Sequence, residues 1–370
     1  MDKQSDRRIV LTLDAGGTNF VFHAVRDSKV LDPGITLSAR KNSLEQILNT
    51  IIEGFDALKN TLNIKPVAIS FAFPGPSDFH NGIIGDLQNL PLFRGGVALK
   101  HMLEEHFGVP TFISNDGDLF TYGEAKYGFL PKINKELEKA GREKRYKNLL
   151  GITLGTGTGG GIVCGDHLMI GDNSAGGEIN RIRNLMYNST SIEDSCTIRA
   201  VQRIYARESG IELKDSPEPK EIYQIGMGDL AGDKKAAKRA FTELAIICGE
   251  AAANAITLVD GLVVLGGGLS NAYPLFLKTM VEQMNRRFET MNGYFLDRLE
   301  TETYNLQDYK GLQEFLKDES HTISVPFSDQ RISYDPTKKI GVGVSVLGTS
   351  NATSIGAYEY AIQQLDKRKE

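Results

Sequence analysis

Cysteine is scarce in this sequence, and long apolar runs are missing. The three cysteines, Cys164, Cys196 and Cys248, are widely separated and odd in number, so they indicate neither a disulfide framework nor a CxxC metal site. No uninterrupted run of about 18 apolar residues occurs. The polar N-terminal segment MDKQSDRR also lacks the apolar region of a secretion signal. These absences predict a reduced, cytoplasmic protein.

Blocks of like charge are missing as well. The chain carries 42 Lys and Arg against 47 Asp and Glu, which gives a net charge of −5. Charges so evenly mixed do not indicate a nucleic-acid partner or binding to a membrane surface. A length of 370 residues, of which 41% are hydrophobic, predicts a globular chain of two domains.

Several nucleotide-binding signatures are missing too. The chain has no Gly-Lys dipeptide, which a Walker P-loop requires, and no HRD or DFG motif of the protein kinases. Gly155, Gly157 and Gly160 satisfy the pattern GxGxxG, but a dinucleotide fold needs a helix directly after that loop. Here GIVC followed by GD predicts a strand and a turn. The dinucleotide interpretation is therefore disfavoured.

What the sequence does contain is one pattern written twice. Residues 11–19, LTLDAGGTN, align with residues 152–160, ITLGTGTGG, and each is a strand followed by a Gly/Thr turn and a second β-rich run. Glycine permits positive φ and leaves backbone N–H groups unshielded, so such a turn can hold an anionic phosphate. The repetition predicts a duplicated domain whose two turns face a shared ligand. A third glycine cluster, at 266–268, follows a buried strand.

The order of predicted elements indicates an α/β protein. Strands are expected at 9–13, 20–25, 30–38, 67–73, 111–114, 149–154, 261–265 and 339–347. Helices are expected at 43–60 with Ser43 as N-cap, and at 98–107, 116–127, 195–208, 234–259, 271–290 and 351–365. Residues 132–147 are rich in charge, which predicts a connection at the protein surface. An N-terminal lobe, 1–115 completed by a final helix at 351–370, would precede a C-terminal lobe, 116–350. An insertion around 291–325 is either a surface helical segment or an oligomer contact or lid.

Taken in order, the motifs resemble those of the ROK family of repressors, open reading frames and sugar kinases. The segments that carry the resemblance are DAGGTN at 14–19, PGP at 74–76, LQNLPLF at 87–93, NDGDLFTYGE at 115–124, TLGTGTGGGI at 153–162, AGGEI at 175–179 and VVLGGGLS at 263–270. The resemblance implies a two-lobed actin-like ATPase (ribonuclease H-like) fold, with duplicated mixed-sheet domains and a cleft between them. It also implies an ATP- and Mg²⁺-dependent kinase of a hexose hydroxyl, the 6-hydroxyl of glucose or a related hexose. A homodimer or higher homo-oligomer is expected.

The resemblance also assigns roles to particular residues. Asp116 would be the general base for the sugar hydroxyl, although an aspartate between a strand and a helix is also explained as a simple N-cap. Sugar binding falls to Gly75, Asn115, Glu178, Arg181 and Glu193. Nucleotide binding falls to Asp14, Gly16, Gly17, Thr18, Asn19, Gly155, Thr156, Gly157, Gly266, Gly267 and Gly268. Asp14 would also hold Mg²⁺, and Thr158 is a further hydroxyl donor for phosphate.

Two departures from the family pattern matter. Residues 188–194, NSTSIED, lie where many members carry the zinc motif CxCGxxGCxE, so no structural zinc is expected, while Glu193 keeps the closing Glu. Arg181 stands where the family has a sugar-binding His. It would pair with a nearby Glu or reach an acidic or N-acetylated ligand. An N-acetylmannosamine or N-acetylglucosamine kinase and a non-catalytic sugar-binding relative therefore stay open. A repressor is disfavoured because only eight residues precede Ile9, too few for a DNA-binding domain.

Overall fold

The computed structural model describes residues 6–15, 19–31, 34–75, 77–86 and 91–368. The contacts of the chain divide it into two compact units. Unit 1 contains the described residues of 1–128, 160–177 and 346–370, and unit 2 contains 129–159 and 178–345. The boundary expected from the sequence, at 115/116, cuts between Asn115 and the helix that it caps. The assignment of folding domains stays a prediction.

The elements follow one another in α/β order. The strands are β1 (Ile9–Ala15), β2 (Asn19–Arg26), β3 (Lys29–Val30), β4 (Ile35–Ser38), β5 (Ala68–Ala72), β6 (Thr111–Ser114), β7 (Leu149–Leu154), β8 (Thr158–Cys164), β9 (His167–Leu168), β10 (Leu262–Gly266), β11 (Arg287–Glu289), β12 (Phe295–Asp297), β13 (Glu302–Asn305), β14 (His321–Ser324), β15 (Arg331–Tyr334) and β16 (Lys339–Val344). The α-helices are α1 (Leu44–Leu62), α2 (Leu99–Phe107), α3 (Asp116–Lys126), α4 (Phe129–Lys139), α5 (Ile198–Ser209), α6 (Pro219–Met227), α7 (Lys234–Val259), α8 (Tyr273–Met284), α9 (Tyr309–Leu316) and α10 (Thr349–Lys367).

Unit 1 is built on a mixed sheet with the strand order β3-β2-β1-β5-β6, in which β4 also pairs with β2. Strand β1 is antiparallel to β2 and parallel to β5, and β5 is parallel to β6. Because side chains alternate across a strand, Leu11 and Leu13 face α1 whereas Val10 packs against α10. The predicted cap of α1 is confirmed: Ser43 Oγ accepts a hydrogen bond from Gln46 N–H at 3.3 Å.

Unit 2 contains four parallel strands in the order β13-β16-β10-β7. The strands that carry the repeated pattern, β1 and β7, each begin the same parallel series, β1-β5-β6 in unit 1 and β7-β10-β16 in unit 2. The duplicated α/β architecture expected from the sequence is therefore confirmed.

Helix α7 is the long alanine-rich helix of unit 2. It packs against α5 and α8, with Ala237, Ala240, Ala245 and Ala252 completely buried. Small side chains permit this close helix packing. By length and composition alone α7 is also apolar enough to cross a membrane, but 61% of its most apolar window is buried inside the protein.

Two segments differ from their predictions. Residues 132–147, expected as a surface connection, begin inside α4, whose Phe129, Leu130, Ile133 and Leu137 form a buried face. The insertion around 291–325 is only partly a surface segment. Its strand β13 pairs with β16 in the main sheet of unit 2, and only α9 is helical within it. The predicted helix at 271–290 ends at Met284, and β11 follows.

Candidate active site

Four of the predicted site residues meet at the carboxyl ends of the parallel strands of unit 1. Asp14, at the end of β1, is in register with Ala72 of β5, and Ala72 is in register with Ser114 of β6. Asn115 and Asp116 follow β6 directly, and Gly75 follows β5 within three residues. The carboxyl ends of parallel strands form the usual ligand edge of α/β sheets. Gly16, Gly17 and Thr18 lie outside the described residues.

Asn115 joins the loop after β5 to the start of α3. Its Oδ1 accepts a hydrogen bond from Gly117 N–H at 2.8 Å, which makes Asn115 the N-cap of α3. A Cβ added to Gly75 would lie 3.2 Å from Asn115 Nδ2 and 3.0 Å from the ring of Phe79. Glycine at position 75 therefore leaves room for the Asn115 amide.

Asp116 is the first residue of α3 rather than its N-cap, so the simple N-cap explanation applies to Asn115 instead. The residue is solvent-exposed, yet protein atoms surround its carboxyl closely enough that lost hydration raises its pKa above the usual aspartate value. The hydrogen bond from Gly117 N–H opposes this increase, and the negative charge of Asp14 adds to it. A raised pKa suits a group that must accept a proton near neutral pH.

The start of α3 packs against the later glycines of the TLGTGTGGGI motif at 153–162. A Cβ on Gly117 would collide with the backbone of Gly160, and a Cβ on Gly161 would lie 2.6 Å from Thr121 Oγ1 and 2.9 Å from Asp118 Cα. Gly177 has φ of +80°, and a Cβ added to it would lie 3.1 Å from Gly161 Cα. The later part of the second glycine run thus lets β8 lie directly against the helix turn that carries Asp116.

The rest of α3 is fixed within unit 1. Nine of its 11 residues are buried, and the glycines at 123 and 356 allow α3 and α10 to touch backbone to backbone. The fully buried Glu124 accepts hydrogen bonds from Val346 N–H at 3.1 Å and Leu347 N–H at 3.0 Å. A helix so constrained can hold a catalytic side chain in one place.

In unit 2, the second and third glycine motifs meet at another carboxyl edge. The 155–158 loop, whose last residue begins β8, follows β7, and β10 ends at Gly266, which is in register with Thr153. Gly267 has φ of +81°, and a Cβ there would collide with the backbone of Leu154. Thr156 and Gly157 are exposed, and a Cβ on Gly268 would meet nothing within 4 Å. This open, N–H-rich surface fits a phosphate group.

Thr158 does not have the phosphate-binding role considered from the sequence. Its side chain is buried, with 4% exposed, and its Oγ1 donates a hydrogen bond to the carbonyl of Cys196 at 3.0 Å. Its backbone N–H donates to Glu193 Oε2 at 3.1 Å. Glu193, predicted to bind sugar, therefore also supports the 155–158 loop.

Glu178, Arg181 and Glu193 lie on two short 3₁₀ turns, residues 179–181 with Glu178 as N-cap and residues 192–194. Ile192 N–H donates to the carbonyl of Ile182 at 2.9 Å, which pairs the two segments. Arg181 is exposed and has no ion pair with any residue that the structure describes. The predicted pairing of Arg181 with a nearby Glu is therefore not seen in the described residues.

A magnesium site fits Asp14 without an all-protein cage. The carboxylate of Asp14 is exposed at the end of β1, and the part of the chain that the structure describes contains no group of three or more His, Cys, Asp or Glu arranged to hold a metal. Mg²⁺ in phosphoryl-transfer enzymes is commonly held by one or two carboxylates together with substrate phosphates and water. The Mg²⁺ role of Asp14 stays a prediction.

The expectation of a protein without structural zinc has a direct test. Elemental analysis of the purified protein should give much less than one zinc per chain, because residues 188–194 supply no cysteine or histidine ligand. Treatment with a chelator should leave Tm unchanged. One zinc per chain, lost together with thermal stability on chelation, would contradict this expectation.

Comparison with known proteins agrees with this geometry. The sequence model of the ROK family matches residues 10–312. The chain is similar to the crystal structure of a glucokinase from Parabacteroides distasonis, with 47% identity, a TM-score of 0.89 and coverage of 98% of this chain and 99% of that one. It is 27% identical to an N-acetyl-D-glucosamine kinase from Photobacterium profundum over 278 residues, 70% of this chain and 83% of that protein. A glucokinase from Thermotoga maritima is 26% identical over 294 residues, 74% of this chain and 86% of that protein.

The fold and these similarities define an ATP-dependent sugar kinase with the actin-like ATPase fold, as the sequence predicts. The chain belongs to the ROK family.

Proposed function

We propose that this kinase transfers the γ-phosphoryl group of ATP to the 6-hydroxyl of glucose or a closely related hexose, with Asp116 as the general base. The observation that supports this most strongly is the position of Asp116. This solvent-exposed residue stands at the carboxyl edge of the unit 1 sheet beside Asn115 and Asp14, and lost hydration of its carboxyl raises its pKa. Similarity to the glucokinase from Parabacteroides distasonis supports glucose.

The proposed reaction needs only one proton acceptor from the protein. Bound ATP supplies the phosphoryl group, and Mg²⁺ at Asp14 would offset its charge. Asp116 takes the proton of the sugar hydroxyl while that oxygen forms its bond to the γ-phosphorus and the bond from the γ-phosphorus to the bridging oxygen breaks. Asn115, Glu178 and Glu193 orient the sugar by accepting hydrogen bonds from its hydroxyls. The N–H groups of the 155–158 loop hold phosphate oxygens.

A second candidate function is phosphorylation of an N-acetylhexosamine. Two observations favour it: the similarity to the N-acetyl-D-glucosamine kinase from Photobacterium profundum, and the exposure of Arg181. A guanidinium carries five N–H donors and can donate to an acetamido carbonyl. Arg181 replaces the histidine expected from the family, so the sugar preference of this chain need not be that of a histidine-bearing relative.

A substrate panel separates these functions. ADP release coupled to an indicator reaction should be measured with ATP and Mg²⁺ against glucose, mannose, fructose, allose, N-acetylglucosamine and N-acetylmannosamine. The proposal predicts the highest kcat/KM with glucose or one of its epimers. A kcat/KM at least tenfold higher for an N-acetylhexosamine would favour the second function. Absence of ADP release with every sugar would refute both functions.

Self-association and a cytoplasmic location are further parts of the proposal. The β11–β12 hairpin exposes Phe288, Phe295 and Leu296 to 46%, 63% and 55% of their areas. Neighbouring apolar side chains exposed to this degree are typical of surfaces that bind another chain. Light scattering after size exclusion should give the mass of a dimer or a larger homo-oligomer, and a monomer at micromolar concentration would contradict the proposal.

A further inference from the structure

Asn184, the first residue of the 184–195 loop, has a buried side-chain amide. The residue is fully buried. Its Nδ2 donates to Ser195 Oγ at 2.9 Å and to the carbonyl of Ser191 at 3.4 Å. Its Oδ1 accepts from Met186 N–H at 2.9 Å and from Tyr187 N–H at 3.1 Å. One side chain therefore joins both ends of the loop.

Backbone contacts also hold this loop: Asn184 N–H donates to the Thr190 carbonyl at 3.0 Å, and Ile192 N–H donates to the Ile182 carbonyl at 2.9 Å. Leu185, Met186 and Tyr187 are exposed to 47%, 40% and 36% of their areas, so burial of their side chains contributes little. Leaving a buried amide without partners costs about 1–3 kcal/mol. Asn184 can thus stay buried only while the loop keeps the geometry that satisfies it, which makes the amide an organising centre for the loop.

The far end of the loop leads directly to the predicted phosphate-binding turn. Residues 193–198 make three hydrogen bonds with the 155–158 loop. Glu193 Oε2 accepts from Thr158 N–H at 3.1 Å, the Cys196 carbonyl accepts from Thr158 Oγ1 at 3.0 Å, and Ile198 N–H donates to the Gly155 carbonyl at 2.8 Å. Ser195, which receives the Asn184 amide, is fully buried within this segment.

We propose that Asn184 is a positioning residue for the active site. Its amide fixes the 184–195 loop, and through Ser195 it sets the position of Glu193 and of the 155–158 loop without a metal ion. Asn184 itself touches neither sugar nor nucleotide in this proposal. The role rests on the proposed function, because it assigns support to residues of that same site.

The kinetic test compares two variants of the Asn184–Ser195 hydrogen bond with one control variant. Asn184→Ala and the milder Ser195→Ala are expected to raise KM for both sugar and ATP, by about tenfold for Asn184→Ala, because loss of about 1.4 kcal/mol is tenfold in binding. The acid limb of the pH profile should not move, because the groups that shift the pKa of Asp116, Gly117 N–H and Asp14, lie outside the 184–195 loop. Asn134→Ala is the control. It also removes an amide that bridges the backbone, through two hydrogen bonds of 2.8 Å to Tyr146, but it has no hydrogen bond to the site loops.

A second measurement does not depend on activity. Hydrogen exchange in Asn184→Ala should lose protection in residues 155–158 as well as in 184–195, whereas Asn134→Ala should leave both segments unchanged. Loss confined to 184–195, or KM values equal to those of the control at the same loss of Tm, would overturn the positioning role. If Asn184→Ala does not fold, Ser195→Ala decides by the same criteria. A wild-type protein inactive on every sugar would refute the proposed function alone, because the exchange result would still test Asn184.

Discussion

Replacement of Asp116 by Asn is expected to lower kcat by roughly 10²–10⁴-fold while the fold stays intact. The amide cannot accept the proton of the sugar hydroxyl, but it has nearly the same shape and still fits the first turn of α3. The measurement is steady-state ADP release at saturating sugar and ATP. Glu105→Gln, an exposed carboxylate on α2 of the same unit, is the control and should keep wild-type kcat. Full activity of Asp116→Asn would exclude Asp116 as the base.

The same substitution should not destabilise the protein at neutral pH. Lost hydration of the Asp116 carboxyl raises its folded-state pKa above the unfolded value of 3.8, so the folded chain holds this proton more tightly than the unfolded chain does. Stability of the wild type therefore falls as pH rises from the unfolded pKa through the folded pKa, and Asp116→Asn lacks that fall. The Tm of the variant minus that of the wild type should increase between pH 4 and pH 7. A difference that decreases over this range would contradict the raised pKa.

The pH dependence of activity follows from the same shift. The acid limb of kcat/KM should lie above pH 3.8, because Asp116 must be deprotonated to act and its pKa is raised. Asp14→Asn removes a negative charge that contributes to this increase, so it should move the acid limb to lower pH in addition to weakening Mg²⁺-dependent turnover. An acid limb that stays in place in Asp14→Asn would show that the two carboxylates do not interact.

Replacement of Gly117 by Ala is the second change with a large expected effect. The added Cβ would collide with the backbone of Gly160, which cannot rotate away as a side chain can. Overpacking of this kind typically costs about 1–3 kcal/mol, and a shift of about 1 Å in the first turn of α3 can cost a factor of about 100 in rate through Asp116.

The control for this variant is Gly268→Ala. A Cβ at that position meets nothing within 4 Å and the residue needs no positive φ, so its Tm should remain close to that of the wild type. The two variants should be compared by thermal unfolding, and the kcat of Gly117→Ala should be compared with that of the wild type. A Gly117→Ala variant with wild-type Tm and kcat would show that the contact between α3 and β8 has no role in placing Asp116.

The sequence could predict the elements whose signals are local. Ser43 caps α1 because a hydroxyl precedes a strongly periodic apolar face, and that pattern is visible without any tertiary information. The meeting of Asp14 and Asp116 at one sheet edge also follows from the sequence once β1, β5 and β6 are recognised as neighbours. Parallel strands present their carboxyl ends on the same side.

Segments whose structure depends on residues distant in the chain could not be predicted from the sequence. The many charged residues in 132–147 hid the helical pattern of α4. Its buried face has only four apolar residues, and it is stabilised by tertiary packing. Strand β13 has no strong pattern of its own and is defined by pairing with β16, more than 30 residues later. In both cases tertiary contacts outweigh the local preference.

In the candidate site, too, some features follow from the local sequence and others depend on tertiary contacts. Glycine in residues 155–161 has two purposes that composition alone cannot separate. Gly155 lies in an open part of the loop, where an added Cβ would meet only the Gly157 carbonyl at 3.8 Å, whereas Gly160 and Gly161 allow close packing on α3. Likewise, Thr156 is exposed and Thr158 is buried, although both are threonines of one turn. Only the strand geometry decides which hydroxyl points to solvent. No sequence motif indicates the role of Asn184, because its hydrogen-bond partners are mostly backbone atoms.

The central claim is that a glycine/threonine turn holds the phosphates of ATP while Asp116 accepts the proton of the sugar hydroxyl. A crystal structure with glucose and a non-hydrolysable ATP analogue tests it most directly. The account predicts a sugar hydroxyl about 3 Å from the Asp116 carboxylate, and phosphate oxygens hydrogen-bonded to N–H groups of the 155–158 loop. An analogue bound away from this loop, or a sugar whose hydroxyls lie out of reach of Asp116, would contradict the account.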